Sequence, residues 1–215
     1  MTRKNGLGDG GQAFPIYIVV VAGLLFASLA FFVVGMAGAT RSNAQGAADA
    51  AALAAAREAR DNAFLGLDLL ALEPADWEKI AGGDLIKSQG ACAKAVEFAA
   101  LNDATAECRA AVPEFAVSVR TKTAVGRSVI PASGDMHGEA SARALIEPRC
   151  SLRSATPAPT PTVAASPSPT PSPTPSSGPG GVTFVCSGKV LKLDPAKPGP
   201  LRQLARALFT VRLVD

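Results

Sequence analysis

The feature that most restricts this chain is residues 14–61, a run that begins apolar and ends alanine-rich with no break between. Ile16 to Met36 is 21 residues without a charge, about the number that crosses a hydrocarbon core of roughly 30 Å. Neither Pro nor a turn cluster follows. Instead the run passes into Ala37 to Ala56, dominated by the best helix former. The spacing predicts one helix that leaves the membrane and continues, a rod of roughly 70 Å from Pro15 to Asp61. Pro15 suits its first turn, where a missing N–H leaves no bond unmade.

Two sets of small residues are candidates for helix packing. Gly23 and Ala27, and again Gly35 and Ala39, stand four apart, the spacing that lets a second helix approach closely in lipid. Abundance of Ala and Gly alone gives the same pattern. Beyond the membrane, Ala44, Ala47, Ala48, Ala51, Ala52 and Ala55 form a narrow stripe, with Arg57, Glu58, Arg60 and Asp61 marking a solvated end. Asp49 reads as a solvated residue on the outer face.

The string NAQGAADAAALAAAR, directly after a single N-terminal membrane helix led by DGGQAF, resembles the TadE/TadG-like proteins of the Tad (Flp-type) pilus-assembly machinery. The resemblance covers roughly residues 8 to 61 and centres on the alanine run at 47–56. It implies an anchor that packs side by side with other pilins or assembly proteins. Related prepilins carry a Glu soon after the Gly of their cleavage site. Here Gly11 is followed by Gln12, Ala13, Phe14, Pro15 and Ile16, so a permanently anchored TadG-like component is the better match. Some TadG-like proteins carry a von Willebrand A-type domain with an Asp-x-Ser-x-Ser metal motif, which this sequence lacks.

Ala37-Gly38-Ala39 fits a signal cleavage site. The apolar core is, however, about twice an ordinary signal's, and the basic flank is only Arg3 and Lys4, which favours an uncleaved signal-anchor. Four Cys, all after the anchor, fit a disulfide-permissive exterior. The expected location is the cell membrane, single-pass, with residues 1–13 cytoplasmic and the rest beyond the anchor extracytoplasmic.

After the anchor, Phe64 to Asp84 reads as a loop and a short helix opened at Glu73-Pro74 and closed by Gly82-Gly83, with Trp77 as a packing residue. Residues 91–102 have helical spacing, with Asn102 as the stop, and Phe115, Val117, Val119 and Thr121 alternate as a half-buried strand. A helix reversing at Asn102 returns Cys108 toward Cys92, whereas one unbroken helix holds them about 24 Å apart. The order Cys, helix, Asn, Cys, strand over residues 91–123 also resembles TadE-type minor pilins. After a Gly-rich turn at Ser133-Gly134-Asp135, residues 139–150 read as the next antiparallel strand.

Residues 155–181 are Pro/Ser/Thr-rich and cannot bury a core. Either an O-glycosylated spacer or an unmodified linker fits. Order resumes with a strand or hairpin at 181–194, a short helix with Leu201, Leu204, Ala205 and Leu208 on one face, and a final strand of Phe209, Val211 and Leu213. Cys150 and Cys186 flank the Pro-rich stretch, so a bond between them clips a long loop. Of three connectivities, 92–108 with 150–186 is favoured.

These readings give an α+β protein, with a long transmembrane helix continuing outside the membrane and a small pilin-like antiparallel sheet domain carrying disulfides and a Pro-rich insertion. The division is 1–13 N-terminus, 14–61 anchor and extension, 62–154 domain, 155–181 disordered loop, and 182–215 strand-helix-strand completing the domain. No chemistry is expected. His137 is the only His, so Asp135, His137 and Glu139 read as a surface turn rather than a metal site, and no Gly-x-Ser-x-Gly or phosphate loop is present. The net charge of +3 is scattered, unlike a nucleic-acid footprint. The expectation is a structural protein without cofactor, metal, nucleic acid or small-molecule substrate, whose partners are the membrane and other pilins or assembly proteins. The alternative is a membrane-anchored surface or adhesion protein using the Pro-rich stretch as a spacer.

Overall fold

The computed structural model describes residues 13–124, 136–153 and 181–214. Most of the Pro-rich stretch, the N-terminal residues before Ala13 and the Ser133-Gly134-Asp135 turn lie outside these residues.

One helix, α1, runs from Ala13 to Asp61 without interruption. At 1.5 Å per residue its 49 residues make a rod of roughly 70 Å. Two short helices follow: α2 (Pro74–Gly82) and α3 (Ala91–Leu101). Pro74 opens α2 and Gly83 closes it at φ 88°, a left-handed cap that suits glycine. Asn102 ends α3, its amide donating to the Phe98 carbonyl at 2.8 Å.

The chain then forms β1 (Ala104–Ala111), β2 (Glu114–Ala124) and β3 (His137–Pro148). Together with β7 (Phe209–Val214) they make an antiparallel sheet in the order β1-β2-β3-β7. Its inner face carries Phe115, Val117, Val119 and Thr121 from β2 and Ala142, Ala144 and Ile146 from β3, all buried. Its outer face is polar, with Ser118 and Ser141 hydrogen-bonded at 2.9 Å and Arg212 paired to Glu147 at 2.6 Å.

The sequence reading marked a strand only at the Phe115–Thr121 alternation and did not single out residues 104–111. They are a separate strand, because Pro113 lacks the N–H that would continue a ladder and the chain reverses at Val112-Pro113. A second departure is the three-stranded sheet β4 (Cys150–Leu152), β5 (Val182–Cys186) and β6 (Lys189–Leu193), in place of one continuous sheet. Pro148 ends β3, and the Arg149 N–H turns away to the Leu208 carbonyl at 2.8 Å. β5 and β6 are joined at Ser187-Gly188, both at positive φ, the geometry of a tight hairpin. This small sheet is covered by α2, where Trp77 meets Phe184 edge-on with ring centroids 6.2 Å apart. The helix α4 (Leu201–Leu208) buries Leu204, Ala205 and Leu208 and leads directly into β7.

Two disulfides staple these layers. Cys92–Cys108 ties α3 to β1, and Cys150–Cys186 ties β4 to β5. The second joins the strands on either side of the Pro-rich stretch, which leaves at Arg153 and returns at Gly181.

Candidate functional site: one helix with two surfaces

Among the described residues, nothing packs on the inner half of α1. Phe14, Ile16, Val19, Leu24, Phe26, Phe31 and Val34 are exposed, Phe31 by 80%. In water such a surface is untenable, and lipid is the solvent that fits it. α1 therefore fits a single-pass membrane span. Gly23, Ala27, Gly35 and Ala39 lie on this half and are exposed, and beyond the helix's own neighbouring backbone no described atom lies within 4 Å of where a Cβ would stand on Gly23 or Gly35.

The outer half is the reverse. Ala44, Ala47, Ala48, Ala51, Ala52 and Ala55 are buried, as are Ala56 and Ala59. They pack within the same chain, against the β2-β3-β7 face and against α3, whose own inner face is Ala91, Ala95 and Ala99. The stripe was read as a flank offered to neighbours. It is instead the core of the chain's own domain, because methyl groups on both sides let the helix and sheet approach closely. Gly138 shows how closely: a Cβ there would stand 2.8 Å from the Thr40 carbonyl oxygen and 3.2 Å from Ala44 Cβ. The residue must be glycine because backbone meets backbone at this crossing.

Polar contacts lie at both levels that bound the buried half, one joining β2 to β3 beside the helix and the other tying α1 to α4. Near the membrane, Thr121 is buried, with its hydroxyl donating to the Thr123 carbonyl and accepting from the Gly138 N–H, each at 2.9 Å. At the far end, Asp61 accepts from Arg206 of α4 at 2.5 Å and from Arg60 at 2.8 Å. Burial opposes the Asp61 charge, but these guanidinium bonds outweigh it and hold the carboxyl below its ordinary 3.8. Asp49 is half-buried and accepts from the Gln45 amide at 2.8 Å.

Residues 137–139 are not a turn but the start of β3, because His137 pairs with Ala124 and Glu139 with Arg120. The His137 Nδ1 lies 2.7 Å from the Thr121 carbonyl oxygen. Among the described residues no three His, Cys, Asp or Glu side chains gather as metal ligands. Asp135 lies outside the described residues.

Sequence reasoning missed Gly138 and the Asp61–Arg206 pair. A signal for the first was present: Gly138, Ala140, Ala142 and Ala144 alternate small residues on one face of β3, the complement of an alanine helix. No local pattern marks the second, whose partners are 145 residues apart.

These features define a class: a single-pass anchor helix whose extension is the spine of a small disulfide-bonded α+β domain. Residues 11–58 match the model of the Tad family, described as "Putative Flp pilus-assembly TadE/G-like". The match runs along α1 almost end to end and agrees with the resemblance carried by the alanine run. No curated protein and no solved structure gave a match.

Proposed function

We propose that the chain is a permanently anchored minor pilin or structural component of Tad/Flp-type pilus assembly or secretion, working by protein contacts rather than by catalysis. The observation that supports this most is that the TadE/G-like match falls on a helix with one bare apolar half and one half embedded in its own domain. In this reading residues 1–13 are cytoplasmic, the anchor is not cleaved, and the domain of residues 62–154 and 182–215 lies outside the cytoplasm, where both disulfides are stable.

Lateral association then belongs to the lipid half, at Gly23, Ala27, Gly35 and Ala39, where close backbone approach is open. The alanines from Ala44 to Ala55 hold the domain rigidly on the rod, so that the helix contact sets where the polar outer sheet face points. Replacing Gly23 and Ala27 by Ile tests this. Energy transfer between labelled copies, or between this chain and other pilus proteins in vesicles, is expected to fall together with piliation in cells, while the domain unfolds at the wild-type temperature. Unchanged association and unchanged piliation would remove the lipid half from the mechanism.

A further inference from the structure

Charge that is scattered along the sequence is gathered by the fold. Residues 149–153 and 181–208, which form β4, β5, β6, α4 and the short connections beside them, carry seven cations and one acid, Asp194. The other described residues carry fourteen acids and eleven cations. Among the described residues, only Arg206 of the seven is in an ion pair, with Asp61. Arg149, Arg153, Lys189, Lys192, Lys197 and Arg202 are exposed and pair with no described carboxylate. The Asp194 carboxylate accepts from the Ala196 N–H at 2.9 Å, within its own turn.

The residues outside the described set do not offset this charge. Residues 154–180, which join β4 to β5, contain no Asp or Glu. Asp9 precedes α1, and Asp135 and Asp215 adjoin the ends of β3 and β7 that lie beside Thr40 and Asp49. Within the lobe, Phe184 faces Trp77 of α2, so Thr183 and Lys192, paired across β5 and β6, stand on the opposite face of the small sheet. The Arg153 N–H donates to the Thr183 carbonyl at 2.9 Å, which sets the backbones of Arg153 and Lys192 on either side of Thr183, about 10 Å apart. The lobe is remote from the anchor. β4 follows Pro148, at the opposite end of β3 from the Gly138 contact with Thr40, and α4 bonds Asp61 in the last turn of α1. From Met36 to Asp61 the helix rises roughly 38 Å, several times a Debye length of about 8–10 Å. Anionic lipid around the anchor is therefore beyond the reach of these charges.

We propose that this lobe binds a phosphodiester polymer, duplex DNA or a poly(glycerol phosphate) chain, through Arg153, Lys192 and the cations around them. Exposed cations gain affinity by releasing the counterions held along such a chain, without the buried apolar centre of a protein interface. Val190 is the one large apolar side chain of the lobe that stands exposed among the described residues, so an apolar protein contact fits less well. The guanidinium fork of Arg153 suits phosphate oxygens, and the acidic remainder of the domain steers a polyanion toward the lobe. The proposal rests neither on the pilus-assembly reading nor on which side of the membrane the domain occupies.

The test measures binding of the full chain, in zwitterionic micelles, to labelled duplex DNA, labelled poly(glycerol phosphate) and labelled polyglutamate, by fluorescence anisotropy over a series of salt concentrations. The expected result is binding to at least one phosphodiester polymer that weakens steeply with salt, and which of the two binds identifies the source. Arg153→Gln with Lys192→Gln is expected to weaken that binding about tenfold or more and to lower the salt slope by about two. Arg153→Lys with Lys192→Arg keeps both charges and is expected to bind as wild type. So is Arg109→Gln with Lys122→Gln, which removes exposed cations of the large sheet. No binding to either phosphodiester polymer overturns the proposal, as does an equal effect of the two Gln pairs. Tighter binding to polyglutamate than to either overturns it in favour of an acidic protein.

Discussion

The two halves of α1 are one helix in two solvents. The inner half carries large exposed side chains, and the outer half carries alanines of which all but Ala50 are buried. Large apolar residues suit lipid, where area is solvated without a partner, whereas small ones suit a core in which a helix axis must lie close to a sheet and a second helix. Side-chain size along one continuous backbone therefore records where the membrane stops. The alanine face of the outer half is committed inside the chain, whereas the large side chains of the inner half are uncovered among the described residues.

The comparison is broken most severely by loosening what holds the outer half. Removing Cys150–Cys186 with paired serines is expected to cost about 3–4 kcal/mol in the chain-entropy model. Urea unfolding in micelles under non-reducing conditions measures it. An unchanged midpoint would mean that the second sheet contributes nothing to the clamp. Next in size is Ala51→Leu, which adds bulk to a site with no free area and is expected to destabilise by about 1–3 kcal/mol through overpacking. The same change at Ala27, exposed in the lipid half, is expected to leave the melting temperature unmoved. Equal effects at the two positions would erase the distinction between the halves.

Smaller again is the far-end clasp. The Asp61 carboxyl is lowered in the folded chain, so its stabilisation is complete above the unfolded value near 3.8 and is lost as pH falls through the lower folded value. Asp61→Asn is expected to cost about 1 kcal/mol at neutral pH, since Arg206 remains largely solvated, and to flatten the stability profile below pH 4. A profile identical to wild type would place the clasp outside the stability of the domain.

Much of this arrangement is legible in the sequence, and the parts that are not share a cause. The span, the continuation of the helix, the stop at Asn102 and the face of β2 follow from hydrophobic period, alanine content and breakers, all local signals. The alanine period correctly marks a buried face between Ala44 and Ala55 but does not say what buries it, because periodicity encodes burial and not the partner. Here the partner is β3, almost a hundred residues away, whose small residues make sense only beside the helix. β1 was hidden by its alternation of Ala with polar residues, and the second sheet by the Pro-rich stretch between its first two strands.

The most direct measurement is a nuclear Overhauser spectrum of the isotope-labelled chain as a monomer in micelles. The crossing of α1 over β3 predicts cross-peaks from the Gly138 Hα protons to the Ala44 and Thr40 methyls within one molecule. Their absence, with cross-peaks from the Ala44, Ala48 and Ala51 methyls to detergent or to a differently labelled copy, would contradict the account that the alanine half is the core of its own domain.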